Sequence, residues 1–227
     1  MEGWDYMAGL FDIIGPVMVG PSSSHTAGAV RIGLVTRKLL GEKPVSAVVS
    51  LHGSFKATGV GHGTHQAIIA GLLEMKPDDV RIPDSFQYAE KEGLSFRFEQ
   101  ITLRDAHSNT ALIEVEGING RRLKVQASSV GGGRIVVNKI DGIEVNFTGE
   151  NHTLIVHNMD QVGHVSKVTT MLAEQGVNIA TMQLFRNKRG GHSVMVLELD
   201  QTASSEKLKE LEMLSGIEKV TYIEAVR

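Results

Sequence analysis

The chain has 227 residues, 41% of them hydrophobic and 22% charged, enough apolar content to bury globular cores and to allow two domains. A formal net charge of -3, with acids and bases interspersed, argues against a nucleic-acid partner, and no apolar run reaches the roughly 20 residues that a bilayer crossing needs. Cysteine is absent, which excludes disulfides, thiol nucleophiles and iron–sulfur ligation by this chain's own thiolates.

The first residues lack the basic, apolar, small-residue order of a signal peptide, so a cytoplasmic protein without a membrane partner is expected. Met7 to Met18 is apolar with Gly15-Pro16 inside it and reads as a short helix ending before a turn. Pro21-Ser22-Ser23-Ser24-His25-Thr26-Ala27-Gly28 follows. From Ala29, Val30, Leu34, Val35 and Leu39 recur at helical spacing, which makes Ser23 or Ser24 the expected N-cap. Free first-turn N–H groups and the helix dipole attract anions, so this stretch reads as an anion seat beside an imidazole. Val45 to Leu51 is a β-branched run after Pro44 and reads as a buried strand. Thr58-Gly59-Val60-Gly61-His62-Gly63-Thr64-His65 then repeats the first logic, with Thr64 as a cap and Gln66 to Met75 as a helix. One such turn is an ordinary capped helix with a surface histidine; two of them read as one site. Nine histidines give no convincing metal spacing, so no metal is expected on this chain.

Pro77 to Pro83 and Ser85 to Gly93 form a connector with one short helix. The period then changes. Leu94-Arg104, Ala111-Glu116, Arg121-Val130, Arg134-Lys139 and Ile143-Phe147 are short β-rich runs separated by the hairpin dipeptides Asn119-Gly120 and Asp141-Gly142, which predicts a mostly antiparallel sheet. His107-Ser108-Asn109 falls between two strands. Ser128-Ser129-Val130-Gly131-Gly132-Gly133 is expected to break another, either as a flexible hairpin loop or as a run of N–H groups facing an anion.

A new unit starts around Thr148-Gly149-Glu150-Asn151, which divides the chain into residues 1–148 and 149–227. Strands over His152 to His157, Val177 to Phe185, Ser193 to Leu199 and Ile217 to Ala225, with helices over Val162 to Gln175 and Ser205 to Leu214, give the order βαββαβ. The fold class is therefore α+β: a mixed α/β first domain followed by a ferredoxin-like unit. Asp160 is the expected cap of the first helix, Gly176 its stop, and Met182, Leu184 and Met195 read as core. This second unit resembles the ACT domain, a regulatory module that binds amino acids and often pairs with a second copy. The resemblance implies a regulatory ligand at Asn158, Asp160, Gln161, Val162 and Gly163, with Asn178 and Ile179 reaching it across a dimer. Val162 stands where many relatives carry proline, and a unit that only pairs subunits is the other reading.

Taken in order, Pro21 to Gly28, Gly53-Ser54, Thr58 to Thr64, His107 with Asn109, and Gly131-Gly132-Gly133 resemble the beta chain of the iron–sulfur-dependent L-serine dehydratases. The first domain is also similar to the allosteric substrate-binding domain of some phosphoglycerate dehydrogenases. The family resemblance implies conversion of L-serine to pyruvate and ammonia, in amino-acid metabolism and gluconeogenesis, with a [4Fe–4S] cluster held by a separate cysteine-bearing alpha subunit and no cofactor on this chain. It implies iron acting as Lewis acid on the substrate hydroxyl, a base removing the α-proton, loss of water and hydrolysis of the enamine. His62 matches a histidine beside the substrate, in the turn that includes Gly61 and Thr64. His25 with Ser22, Ser23, Ser24 and Thr26 matches the loop that would hold the serine carboxylate. His107, Asn109, Gly131, Gly132 and Gly133 match a second small-anion or serine site, a regulatory one. His65 stands where relatives commonly carry aspartate. Two readings outside catalysis stay open at this point, an amino-acid-sensing module and a dimerisation scaffold.

Overall fold

The computed structural model describes residues 17–225. The helix expected over Met7 to Met18 lies outside the described residues, apart from Val17 and Met18, which are not helical. The described residues form two sheets, six α-helices, one π-helical turn and one 3-10 turn.

The first sheet has the order β2-β1-β3-β4-β5-β6, with β1 Pro44–Leu51, β2 Ser95–Gln100, β3 Thr110–Gly117, β4 Arg122–Gly131, β5 Arg134–Ile140 and β6 Ile143–Phe147. Its pairs are antiparallel except β1 with β2, which run parallel because a helical crossover separates them. Asp141 and Gly142 both take positive φ, 50° and 83°, the left-handed pair that a two-residue hairpin between β5 and β6 requires. Ser128 and Ser129 do not break a strand; β4 runs through them, paired with β3 and β5, and ends at Gly131, with Gly132 and Gly133 forming the turn beyond.

Ala47, Val49, Leu51, Ile113, Val115, Val125 and Ala127 point from this sheet into the core. On the opposite face Glu114–Lys124 and Glu116–Arg122 pair at 2.8 Å and 3.3 Å across β3 and β4. The core face is covered by α1 Gly28–Leu40 and α3 Thr64–Leu72, with the short α2 Gly53–Thr58 and α4 Ser85–Glu92 at the edge. α1 and α3 cross at Gly33 and Gly71. A Cβ on Gly33 would lie 2.2 Å from the carbonyl oxygen of Ile68, and one on Gly71 2.1 Å from that of Val30, so the two backbones touch.

The second sheet has the order β10-β7-β9-β8, with β7 His152–Met159, β8 Ile179–Arg186, β9 His192–Leu199 and β10 Ile217–Ile223. With α5 His164–Glu174 and α6 Ser205–Glu212 it is the ferredoxin-like βαββαβ unit. Leu154, Val156, Met195 and Leu197 pack under the helices, whereas Ile155, Val194, Val196 and Ile223 point the other way into the core of the first sheet. One hydrophobic core therefore runs through both units.

Met182 and Leu184 are 38% and 49% exposed, not core as the sequence suggests, because edge strand β8 extends beyond the cover of the two helices.

Candidate functional site

The two histidine turns converge. The chain enters the first helix through a π-helical turn, Ser23–Ala27, capped by Ser22 and not by Ser23 or Ser24: Ser22 Oγ accepts from the His25 N–H at 3.2 Å. Ser23 and Ser24 sit half-buried in that turn. α3 begins at Thr64, directly after Gly63, whose φ of 70° places it in the left-handed region. Thr64 does not cap its own helix; it is fully buried, and its hydroxyl donates to the His25 carbonyl at 3.0 Å. The Thr26 hydroxyl donates to the His62 carbonyl at 3.1 Å. Each turn is thus tied to the other's histidine backbone. Gly61 is exposed, and a Cβ there would make only an ordinary contact, 3.8 Å from the Thr58 carbonyl oxygen.

As a result the His25 and His62 rings lie 4.9 Å apart, centroid to centroid. Phe55 packs edge-on against His25 at 5.3 Å. His25 Nε2 is 3.0 Å from Ser54 Oγ and 3.1 Å from Thr58 Oγ1, and its Nδ1 is 3.5 Å from Ser22 Oγ. His62 Nδ1 lies 3.0 Å from the Thr58 carbonyl oxygen. Burial, and then the neighbouring His62, push the His25 imidazole below its ordinary value.

Ser54, Phe55 and Thr58 also line the site: Ser54 and Thr58 fall in the stretches that carry the resemblance but were assigned no role there, and Phe55 was not singled out. All three belong to α2, whose SFKAT sequence carries no apolar period; the i, i+4 spacing of two hydroxyls, Ser54 and Thr58, was the available signal.

α2 is in turn set against the loop at 107–109. Gly53, at φ 57°, allows the Ser108 backbone to approach so closely that a Cβ would sit 2.4 Å from its carbonyl oxygen, and Ser54 N–H donates to that oxygen at 2.7 Å. His107 is exposed and its Nδ1 accepts from the Asn109 N–H at 3.1 Å. Asn109 Oδ1 is buried without a protein partner, as is Ser129 Oγ, which packs against Gly28 at the start of α1. Gly131, Gly132 and Gly133 all have positive φ, and Arg31 on α1 donates to the Gly133 carbonyl at 3.0 Å. A cleft of about 580 Å³ takes in His107 with Arg104, Gln126, Ser128 and Asn138, but the three glycines do not line it.

In the second unit Asp160 does not cap α5. Gly163, at φ 97°, precedes that helix without any side-chain cap, and Asp160 instead accepts from Gly190 N–H at 3.0 Å and Arg186 at 2.9 Å, which hold its carboxyl below the usual range. Gln161 is exposed and Val162 fully so. Asn158 is buried beside His164, whose ring bridges the carbonyls of Met159 and Ser215. Asn178, bonded to Asp200 at 2.6 Å, and Ile179 lie at the other end of the sheet, since Ile179 pairs with Leu199 while Asn158 pairs with Ser193. Within one chain these two groups do not meet.

Among the described residues no helix is long and apolar enough to cross a membrane, and no three His, Cys, Asp or Glu side chains are grouped to hold a metal ion.

A mixed sheet with two helix-opening histidine turns is fused to a ferredoxin-like unit, and both parts match known families. The family model "Serine dehydratase beta chain" matches residues 9–140 and the model "ACT domain" matches residues 152–214. The chain is 41% identical over 214 residues to the probable L-serine dehydratase, beta chain, of Bacillus subtilis, covering 94% of this chain and 97% of that one. It is 37% identical over 224 residues to the L-serine dehydratase, beta chain, of Peptoniphilus asaccharolyticus, covering 97% and 99%. A D-3-phosphoglycerate dehydrogenase of Methanocaldococcus jannaschii shares 36% identity over 88 residues, 39% of this chain and 17% of that enzyme. The chain belongs to the serine dehydratase beta-chain family.

Proposed function

We propose that this chain is the beta subunit of a cytoplasmic L-serine ammonia-lyase that converts L-serine to pyruvate and ammonia together with a cysteine-bearing alpha subunit. The observation that carries the reading is the convergence of His25 and His62, 4.9 Å apart, at two helix-opening turns. The residues present do not fit an iron–sulfur cluster, because the chain has no cysteine and its described residues group no alternative ligand set. The cluster therefore belongs to the alpha subunit.

This chain's own contribution is binding and proton handling. The substrate carboxylate sits on the N–H groups of Ser23 and Ser24 in the π-helical turn that leads into α1, one and two residues before the His25 N–H that Ser22 caps. His62 takes the α-proton, and His25 fixes the hydroxyl-lined wall beside it. Residues 1–148 carry this site and residues 149–227 the regulatory unit. A ligand at Asn158 to Gly163 completes its site with Asn178 and Ile179 of a second copy, because antiparallel pairing of two β8 edges would bring opposite ends of the strand together. His107, Asn109 and the glycine turn form the second serine or small-anion contact. A purely sensing role is the second reading, favoured by the likeness to a phosphoglycerate dehydrogenase.

The test is anaerobic reconstitution with the alpha subunit, following pyruvate from L-serine. Turnover that requires this chain and falls by about 10²-fold or more in His62→Ala supports the enzyme reading. Turnover by the partner alone, with this chain only shifting its ligand response, supports the sensor.

A further inference from the structure

The hydrogen-bond directions around α2 divide the labour between the two histidines. The Thr58 hydroxyl has one proton, and the Ser54 carbonyl oxygen lies 2.9 Å from it, the position of an i to i−4 donor. With that proton committed, Thr58 Oγ1 has only lone pairs left for His25 Nε2, 3.1 Å away, so His25 carries its ring proton on Nε2. Ser54 Oγ, 3.0 Å from the same nitrogen, accepts the other half of that bond. The opposite edge is compatible with this: Ser22 Oγ accepts the His25 N–H and, 3.5 Å from His25 Nδ1, has its own proton free to donate there. His62 Nδ1 faces the Thr58 carbonyl, a group that can only accept, so in the neutral ring the proton sits on Nδ1 and the lone pair is on Nε2.

We infer that Thr58 is the positioning residue of this site, setting both imidazoles from one residue: its hydroxyl holds His25 in the Nε2–H form and its carbonyl holds His62 in the Nδ1–H form. Both nitrogens of His25 are thereby engaged by hydroxyls, and only His62 Nε2 remains with a free lone pair to accept a proton. Burial of His25, and then the neighbouring His62, lower its pKa and so favour the neutral ring that this arrangement requires. The catalytic consequence rests on the function proposed above; the tautomers do not.

The experiment uses the full chain. Long-range proton–nitrogen correlation spectra of the ¹⁵N-labelled protein at neutral pH report which ring nitrogen is protonated, and the expected result is Nε2–H for His25 with Nδ1–H for His62. Thr58→Val keeps the carbonyl and the branched shape but removes the hydroxyl. It should release the His25 tautomer while leaving His62 unchanged, and lower kcat of the reconstituted enzyme by about 10-fold to 10²-fold with KM within twofold. Thr58→Ser should restore both readouts. An Nε2–H His62 in the native protein, or Thr58→Val with the His25 tautomer and kcat intact, overturns the inference. Correct tautomers in a complex that never turns over serine would instead overturn the proposed function alone.

Discussion

Gly71→Ala tests whether the helix crossing sets the spacing of the two histidines. The added Cβ would meet the Val30 carbonyl oxygen at 2.1 Å and the Leu34 nitrogen at 2.6 Å, both backbone atoms that cannot rotate aside. Restoring ordinary contact at 3.4 Å needs the helices to part by about 1.3 Å. Overpacking of this kind costs up to about 3 kcal/mol, offset by about 1 kcal/mol from the better helix propensity of alanine. The net loss of about 2 kcal/mol corresponds to a fall in Tm of roughly 4–8 °C for a chain of this size. A displacement above 1 Å also breaks the Thr26–His62 and Thr64–His25 ties, now 3.1 Å and 3.0 Å, so turnover should fall with stability. Thermal unfolding by circular dichroism and pyruvate formation in the reconstituted complex measure the two effects. A variant with unchanged Tm and full turnover would show that the close approach at Gly33 and Gly71 does not govern the site.

Three further outcomes are expected. His157 is held at about 4 by burial and then by Lys219, below its ordinary 6.5, so the native state binds fewer protons than the unfolded chain; stability is complete above about pH 6.5 and about 3 kcal/mol is lost as pH falls toward 4, a slope that urea midpoints should show flattened in His157→Gln. Ser22→Ala should cost about 1 kcal/mol in urea denaturation as the loss of a helix cap, and Ser24→Ala much less; equal effects would return the cap to the later serines. The β8 pairing proposed above predicts a dimer in analytical ultracentrifugation that Met182→Lys, on the exposed side of the β8 edge, converts to a monomer, and an unchanged mass would remove β8 as the pairing edge.

Periodicity was enough for most elements, because apolar repeats and Gly-containing turns act over a few residues. The βαββαβ order, the hairpins at Asn119-Gly120 and Asp141-Gly142, and the two histidine turns were all legible on that scale. Cap positions were not. Three consecutive serines offer equivalent side chains, and only the π-turn geometry selects Ser22; likewise Asp160 had a cap's chemistry but found Arg186 and the Gly190 N–H, partners 26 and 30 residues away. α2 was missed for a related reason. Its stability comes from Phe55 buried under His25 and from the Ser54 N–H bonded to Ser108, tertiary contacts that no local pattern encodes. The same applies to Gly33 and Gly71, ordinary helical glycines until the second helix is laid across the first.

The shared core changes what the two-unit organisation means. α1, with the turn before it, spans residues 23 to 40, a rod of about 27 Å. One end carries His25; at the other, Arg121 donates to the Leu39 carbonyl at 2.9 Å and Lys38 to that of Glu224 at 3.2 Å, while Val35 and Leu39 share a core with Ile155 and Ile223 of the second sheet. A module joined by a flexible linker could be removed without harm to its neighbour. Here, cutting after residue 148 would strip apolar cover from the helix that presents the histidine turn. Loss of activity in such a fragment would therefore say nothing about regulation, and ligand effects must be measured on the whole chain, where one packed helix joins the second sheet to the turn that carries His25.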